Sequence, residues 1–234
     1  WFLDRSGSKP RVAYFPLPGE DVTKATVILP VLEHLLVSKK STIEGVLPLR
    51  GVSFSGLTFE HATWSRPNTG LGYVELQSGA LVSTPGTACI DYEWEPMPSN
   101  IALSNSVGAT FDQCTFRHLG GGALQFDSGA HNNTVSRCTF TDVSGTAVQI
   151  GRYDTYNITE ESEQERFNTV SDCVIDGVAA EYHGNAGLSV GYSYGTSLLH
   201  NVLTNLSYSG ISIGWGWSRE KNTYAAFNTV AGNE

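Results

Sequence analysis

Three carboxylates and one imidazole stand out among the 234 residues by where they fall in the sequence. Asp127 closes the string "ALQFD" (123–127), Asp154 follows "AVQIG" (147–151), and Glu181 opens "EYHG" (181–184), with His183 two residues on. Each acid adjoins a short alternating run that ends one copy of a recurring segment. Carboxyl groups placed on neighbouring segments can divide acid–base work: one protonates a leaving oxygen while the other attacks or activates water. Cleavage of a glycosidic bond uses such a pair, roughly 5 Å apart for retention and about 6.5–9.5 Å for inversion. An imidazole beside a carboxylate in a partly closed groove can tune its pKa. The expected pair is therefore Asp127 with Glu181, the latter tuned by His183. The competing readings are a hydrogen-bonded corner residue for Glu181 and a packed turn residue for His183.

The same runs carry groups that suit a polyhydroxylated ligand. Gln125 and Gln149 stand at one outward position of successive runs, and Arg152, Tyr192 and Trp215 follow three consecutive runs. Trp217 continues that wall in the string "YSGISIGWGW" (208–217), although two tryptophans on a Gly-rich corner can also pack beneath a neighbouring loop. No metal or other cofactor is expected. Four cysteines (Cys89, Cys114, Cys138, Cys173) show no CxxC or Cys/His spacing, and the acids of 160–165 read as a solvated loop without the Asp/Asn/Gly rhythm of a calcium site. A lyase would need a cationic cluster to acidify a uronate, and only Arg152 lies well placed for that. Arg66 can bind a sugar carboxylate or pair with a local acid, while Glu60, His61 and His118 read as structural groups on another face.

The elements that must position these residues are strands. Stacked one under another, "ATFDQCTFRHLGGGALQF" (109–126), "NTVSRCTFTDVSGTAVQI" (133–150), "NTVSDCVIDGVAAEYHGNAGLSV" (168–190) and "SLLHNVLTNLSYSGISI" (197–213) repeat one pattern. Each is two or three alternating strands joined by Gly, Ser, Asn or Asp corners, with an irregular period of twenty to thirty-odd residues. The fold class expected is all-β: a right-handed parallel β-helix, a single solenoid with one coil per repeat. Residues 1–50 would form N-terminal strands and the first coil, including "TVILPVLEHLLV" (26–37), and 51–234 the remaining coils, with loop insertions near 78–99 and 152–166. Leu57, Cys114, Cys138, Cys173, Asn201 and Asn233 should stack as a ladder, the cysteines as buried thiols. Alternation sends Val74, Leu103, Leu124, Phe126, Val148, Ile150, Leu188, Val190, Ile211 and Ile213 inward. It leaves two outward columns: Glu75, Ala102, Gln125, Gln149, Ser189, Ser212, and Gln77, Ser104, Asp127, Gly151, Gly191, Gly214.

A net charge of −9 and a pI near 5.1 argue against nucleic acid and against electrostatic docking on anionic membranes. No apolar run approaches the length of a membrane span. Sequons at Asn132, Asn157 and Asn205 permit glycosylation of a secreted, extracellular protein.

The strings "GLTFEHATW" (56–64), "FRHLGGGAL" (116–124), "EYHG" and "YSGISIGWGW", in that order, resemble landmarks of the pectin-lyase-like β-helix carbohydrate-active proteins, particularly those similar to glycoside hydrolase family 141. The leading "WFLDR" and "PLPGEDVTKATVILPVLEHLL" are similar to that group's N-terminal region. The resemblance implies a polysaccharide or oligosaccharide partner, with activities that vary across the group; a glycoside hydrolase is the favoured reading, its acid–base work assigned to Asp127 and Glu181 with His183 from the residue pattern above. Members of the group continue through further coils bearing more acidic residues, so the chain reads as a fragment whose open ends meet coils of the same precursor or another copy. The alternative is a non-catalytic structural or glycan-binding solenoid that assembles with other chains.

Overall fold

The computed structural model describes residues 2–39, 48–68, 73–83, 92–214 and 223–234. A short alternating strand cannot bury its apolar face alone, so each coil stacks on its neighbour and the core runs along the axis. Each full coil visits three parallel sheets in turn, as in Thr110–Asp112, Thr115–Leu119 and Gly122–Asp127. The sheet ending each coil, here called the floor, runs from Leu36–Ser38 through Ser99–Ser104, Gly122–Asp127, Val148–Ile150 and Leu188–Val190 to Ile211–Ile213. All its pairings are parallel and in register.

The corner between the first two strands of each coil is the sharpest. Gly56, Gln113, Arg137, Asp172, His200 and Gly232 fall at one position of successive coils, all at φ between 52° and 64°. The left-handed region costs a non-glycine residue about 1–2 kcal/mol. In three of these coils the amide of the next residue is held by the side chain of the coil after. Here lies the expected ladder: the amide N–H of Cys114 meets Cys138 Sγ at 3.4 Å, that of Cys173 donates to Asn201 Oδ1 at 3.0 Å, and that of Asn201 to Asn233 Oδ1 at 2.9 Å. Cys114, Cys138 and Cys173 are free and buried; Cys89 lies outside the described residues. A second ladder joins Asn133 to Asn168 at the start of the coils, at 3.0 and 2.9 Å. Between the ladders aromatic rings stack coil on coil, Phe59 on Phe116 at 5.2 Å and Phe116 on Phe140 at 4.6 Å. The inward residues Leu103, Leu124, Phe126, Val148, Ile150, Leu188 and Val190 are all buried.

Two expectations are corrected. "YVELQ" is not a floor strand: Val37 takes the position allotted to Glu75, beside Ala102, and Val74 is exposed rather than inward. Gln77 and Ser78 both adopt positive φ (48° and 64°), which makes a two-residue hairpin turn and sends the chain back antiparallel. Val74–Leu76, Gly79–Ser83 and Tyr92–Pro96 thus form a separate three-stranded sheet. Gly79 is obligatory there, because a Cβ would lie 2.2 Å from the Glu95 carbonyl oxygen and 2.3 Å from the Trp94 ring. Secondly, "TVILPVLEHLLV" is strand only where its last two residues enter Leu36–Ser38. Pro30 has no N–H to give a ladder, and Val27, Leu29 and Val31 stay exposed.

Candidate functional site

The antiparallel sheet is inserted between the second strand of one coil (Thr58–Ala62) and the floor strand Ser99–Ser104, and it folds over the floor as a cover. Gly184 N–H donates to Glu75 Oε1 at 2.6 Å, Ser78 N–H to the Gly184 carbonyl at 2.9 Å, and Ala186 N–H to Ser78 Oγ at 3.1 Å. Where the cover meets the ends of the floor strands, a cavity of about 590 Å³ opens. Its cover wall is Trp94, Glu95 and Pro96. Its floor and far wall are Gln125, Asp127, Ser128, Gly151, Arg152, Tyr153 and Asp154.

Asp127 is the best-placed acid. It closes a floor strand, accepts a hydrogen bond from Ser104 Oγ of the preceding coil, and accepts another from Gln125 Nε2 at 2.7 Å. Burial pushes its carboxyl above the ordinary value, against the pull of those donors and of Arg152. Asp154, from the next coil, is exposed at the same cavity and holds only the Thr155 hydroxyl at 3.2 Å among the described side-chain bonds. The third lining carboxylate, Glu95, is paired with Arg66, so of the two partners open to Arg66 it takes the local acid.

Arg152 lines the cavity but its charge is committed. Its Nε meets Glu165 Oε1 at 3.1 Å and its Nη2 donates to the Glu163 carbonyl. Glu165 is fully buried, with Tyr224 OH and the Gly129 N–H, at 3.3 Å, as further donors. Burial raises its carboxyl, while Tyr224 and Arg152 pull it down. The acids of 160–165 are therefore not all a solvated loop: Glu165 fills the space behind the site.

The remaining candidates separate. Gln125 faces the cavity. Gln149, expected on an open floor, is wholly buried, as is Ser189, because the cover and Tyr153 lie over that part of the floor. Tyr192 is buried against Tyr156 and Tyr224 at 6.2 and 6.4 Å between ring centroids and is not part of the cavity lining. Glu181 and His183 do not share the cavity with Asp127. Asp127 is level with Gly191, whereas Tyr182 bonds back to the Ser144 carbonyl, before Ala186. Even the stretch from Ala186 to Gly191 covers about 16 Å of strand, so Glu181 sits at the opposite edge of the floor, beyond any glycosidase spacing. Both residues are exposed at that corner, where His183 Nε2 contacts the Ala180 carbonyl at 2.8 Å. Trp215 and Trp217 lie outside the described residues.

His61 and His118 stack at 5.2 Å on the second sheet, a different face, with Arg117 bonded to Glu60 at 2.6 Å and His118 to Asp142 at 2.6 Å. Among the described residues no three His, Cys, Asp or Glu side chains are grouped to hold a metal, and no helix is long and apolar enough to cross a membrane. Asn132, Asn157 and Asn205 are all exposed.

Trp94, Glu95, Tyr153 and Glu165 were not singled out from the sequence. The one signal for the first two was "YEWEP" (92–96), aromatics and acids alternating inside an insertion.

A family model described as a right-handed beta helix region matches residues 51–230. No curated protein matches the chain. A solved structure titled "Glycoside hydrolase" is similar to it, with a TM-score of 0.79 and 26% identity over 90% of this chain. The chain spans 38% of the length of that protein.

Proposed function

The chain belongs to the right-handed β-helix family, and from that premise we propose that it is a carbohydrate-active protein that hydrolyses a glycosidic bond in the cavity beneath the cover sheet. Asp127 serves as the acid, donating its proton to the leaving oxygen, and Asp154 as the second carboxylate, acting on the sugar or on water from the neighbouring coil. The observation that carries the reading is the cavity itself: a half-buried acid whose carboxyl burial pushes above its ordinary value and an exposed acid from the next coil lie in the same pocket, beside an aromatic wall. Opposed environments on two carboxyls are what separates acid from base. A volume of about 590 Å³ is that of a small-molecule site, and the Trp94 face suits a sugar ring. Three carboxylates against one arginine, itself neutralised by Glu165, favour a neutral sugar over a uronate. The similarity to a protein titled "Glycoside hydrolase" points the same way. Three exposed sequons accord with a secreted glycoprotein.

The test is reducing-end release from neutral cello-, xylo-, manno-, galacto- and arabino-oligosaccharides beside a uronate series, with the Asp154→Asn variant in parallel. Release from a neutral glycan that falls at least about 100-fold in the variant is expected. Binding without release across the panel would instead make the chain a glycan-binding solenoid. Neither binding nor release would overturn the reading.

A further inference from the structure

Gln149 is the odd member of the floor. It is completely buried, yet among the described residues neither its Nε2 nor its Oε1 has a hydrogen-bond partner. A buried amide of this kind is costly, and native structures rarely keep one without reason. Its register places it between Gln125 of the preceding coil and Ser189 of the next. Gln125 lines the cavity. On the other side Tyr153, which also lines the cavity, reaches from the end of Gln149's own coil to bond Ser189 Oγ at 2.8 Å, and Trp94 packs on its ring at 5.2 Å. Both flanks of the unpartnered amide are thus cavity wall.

We propose that Gln149 is a gated sugar-recognition residue: the Tyr153 ring closes over it, and a neutral sugar that displaces the ring takes both amide atoms with a vicinal diol. The chemistry fits, because a primary amide offers one donor and one acceptor side by side, and adjacent hydroxyls of a pyranose offer their complement. Rotation of Tyr153 off Ser189 extends the cavity along the floor by one coil, from Gln125 to Gln149. The closed arrangement keeps the amide dry until a ligand arrives. The inference rests on the cavity being a glycan site, and it adds which atoms read the sugar and what covers them.

The experiment measures calorimetric binding of the same neutral oligosaccharide panel to the full chain, with thermal unfolding alongside. Gln149→Met keeps the length of the side chain and removes the amide. It is expected to bind roughly 10- to 100-fold more weakly while melting no lower than the wild type, since the closed state loses no bond. Tyr153→Phe removes the hydroxyl that holds the ring on Ser189 and is expected to bind up to about 5-fold more tightly, because the open state is more populated. Wild-type affinity in Gln149→Met, or a marked drop in its melting temperature, would make Gln149 a structural residue and overturn the inference while leaving the glycan site standing. Weaker binding by Tyr153→Phe would overturn the gate. No binding by the wild type would overturn both the inference and the site it rests on.

Discussion

Asp127→Asn separates the catalytic reading from the structural one because it moves activity and stability in opposite directions. The asparagine keeps the shape of the side chain and can still accept from Ser104, while Gln125 turns its amide to accept from the new NH₂. Burial holds the Asp127 carboxyl above its ordinary value of 3.8, so the ionised form is the costly one in the folded chain. Below that ordinary value both the folded and the unfolded chain carry the proton, and wild type and variant differ little. As the pH rises through the folded-state pKa the wild type must ionise a half-buried group and loses stability that the variant keeps. The gain is modest, about 1 kcal/mol, because Ser104 and Gln125 bond a neutral acceptor less strongly. For a chain of this size that is roughly 2–4 °C at neutral pH. Activity goes the other way. Loss of a general acid costs about 100- to 10,000-fold, or ~3–5 kcal/mol of barrier. The assay is sugar release and thermal unfolding of both proteins from pH 3 to 8. A variant that releases sugar within about tenfold of wild type refutes the acid role. One that melts below the wild type at pH 7 refutes the reasoning from burial.

Two further outcomes test the scaffold that holds the site. Asn201→Leu strips the ladder of its central amide, leaving the Cys173 N–H buried without its acceptor and removing the side-chain donor to the Val170 carbonyl; a loss of about 2 kcal/mol, or roughly 4–8 °C in melting temperature, is expected by calorimetry. Cys114, Cys138 and Cys173 sit in the core as free thiols, so an aromatic disulfide reagent should label them only as fast as the chain unfolds, and rapid labelling of the native protein would contradict their burial.

The repeat was legible because it is repetitive. A position that recurs in successive coils is read several times, so one ambiguous residue does little harm: Asn201 shares no chemistry with Cys114, Cys138 and Cys173, yet a common offset from "NTV"-like strings places all four in one column. The inward alternation of Leu124, Val148 and Leu188 was readable for the same reason. The first coil was not, since Pro30 and the exposed Val27, Leu29 and Val31 break the alternation before its strand begins at Leu36. Val37 rather than Glu75 starts the outward column because a hairpin at Gln77 and Ser78 breaks the pattern, and alternation alone cannot tell a floor strand from a cover strand.

The site follows a different logic. A bare β-helix floor is shallow, and strand spacing of about 4.8 Å would leave its polar column open to water. Depth has to come from insertions, which occur once and carry no internal copy to align. Trp94 and Glu95 arrive on the cover sheet, and Tyr153 and Glu165 on the excursion after Val148–Ile150. The floor contributes the residues the sequence identified, Gln125 and Asp127; the insertions decide which floor positions a ligand can reach. Glu181 illustrates the difference. Its place in the repeat marked it as near Asp127, but the repeat counts coils and not the width of a strand, and that width separates the two. In a solenoid, therefore, a shared coil-to-coil column in neighbouring coils is good evidence that two side chains are neighbours, whereas membership of nearby coils alone is not. Asp127 and Asp154 share no column either; they meet because Asp127 ends one floor strand and Asp154 lies just past the end of the next, at the same edge, where both line the cavity.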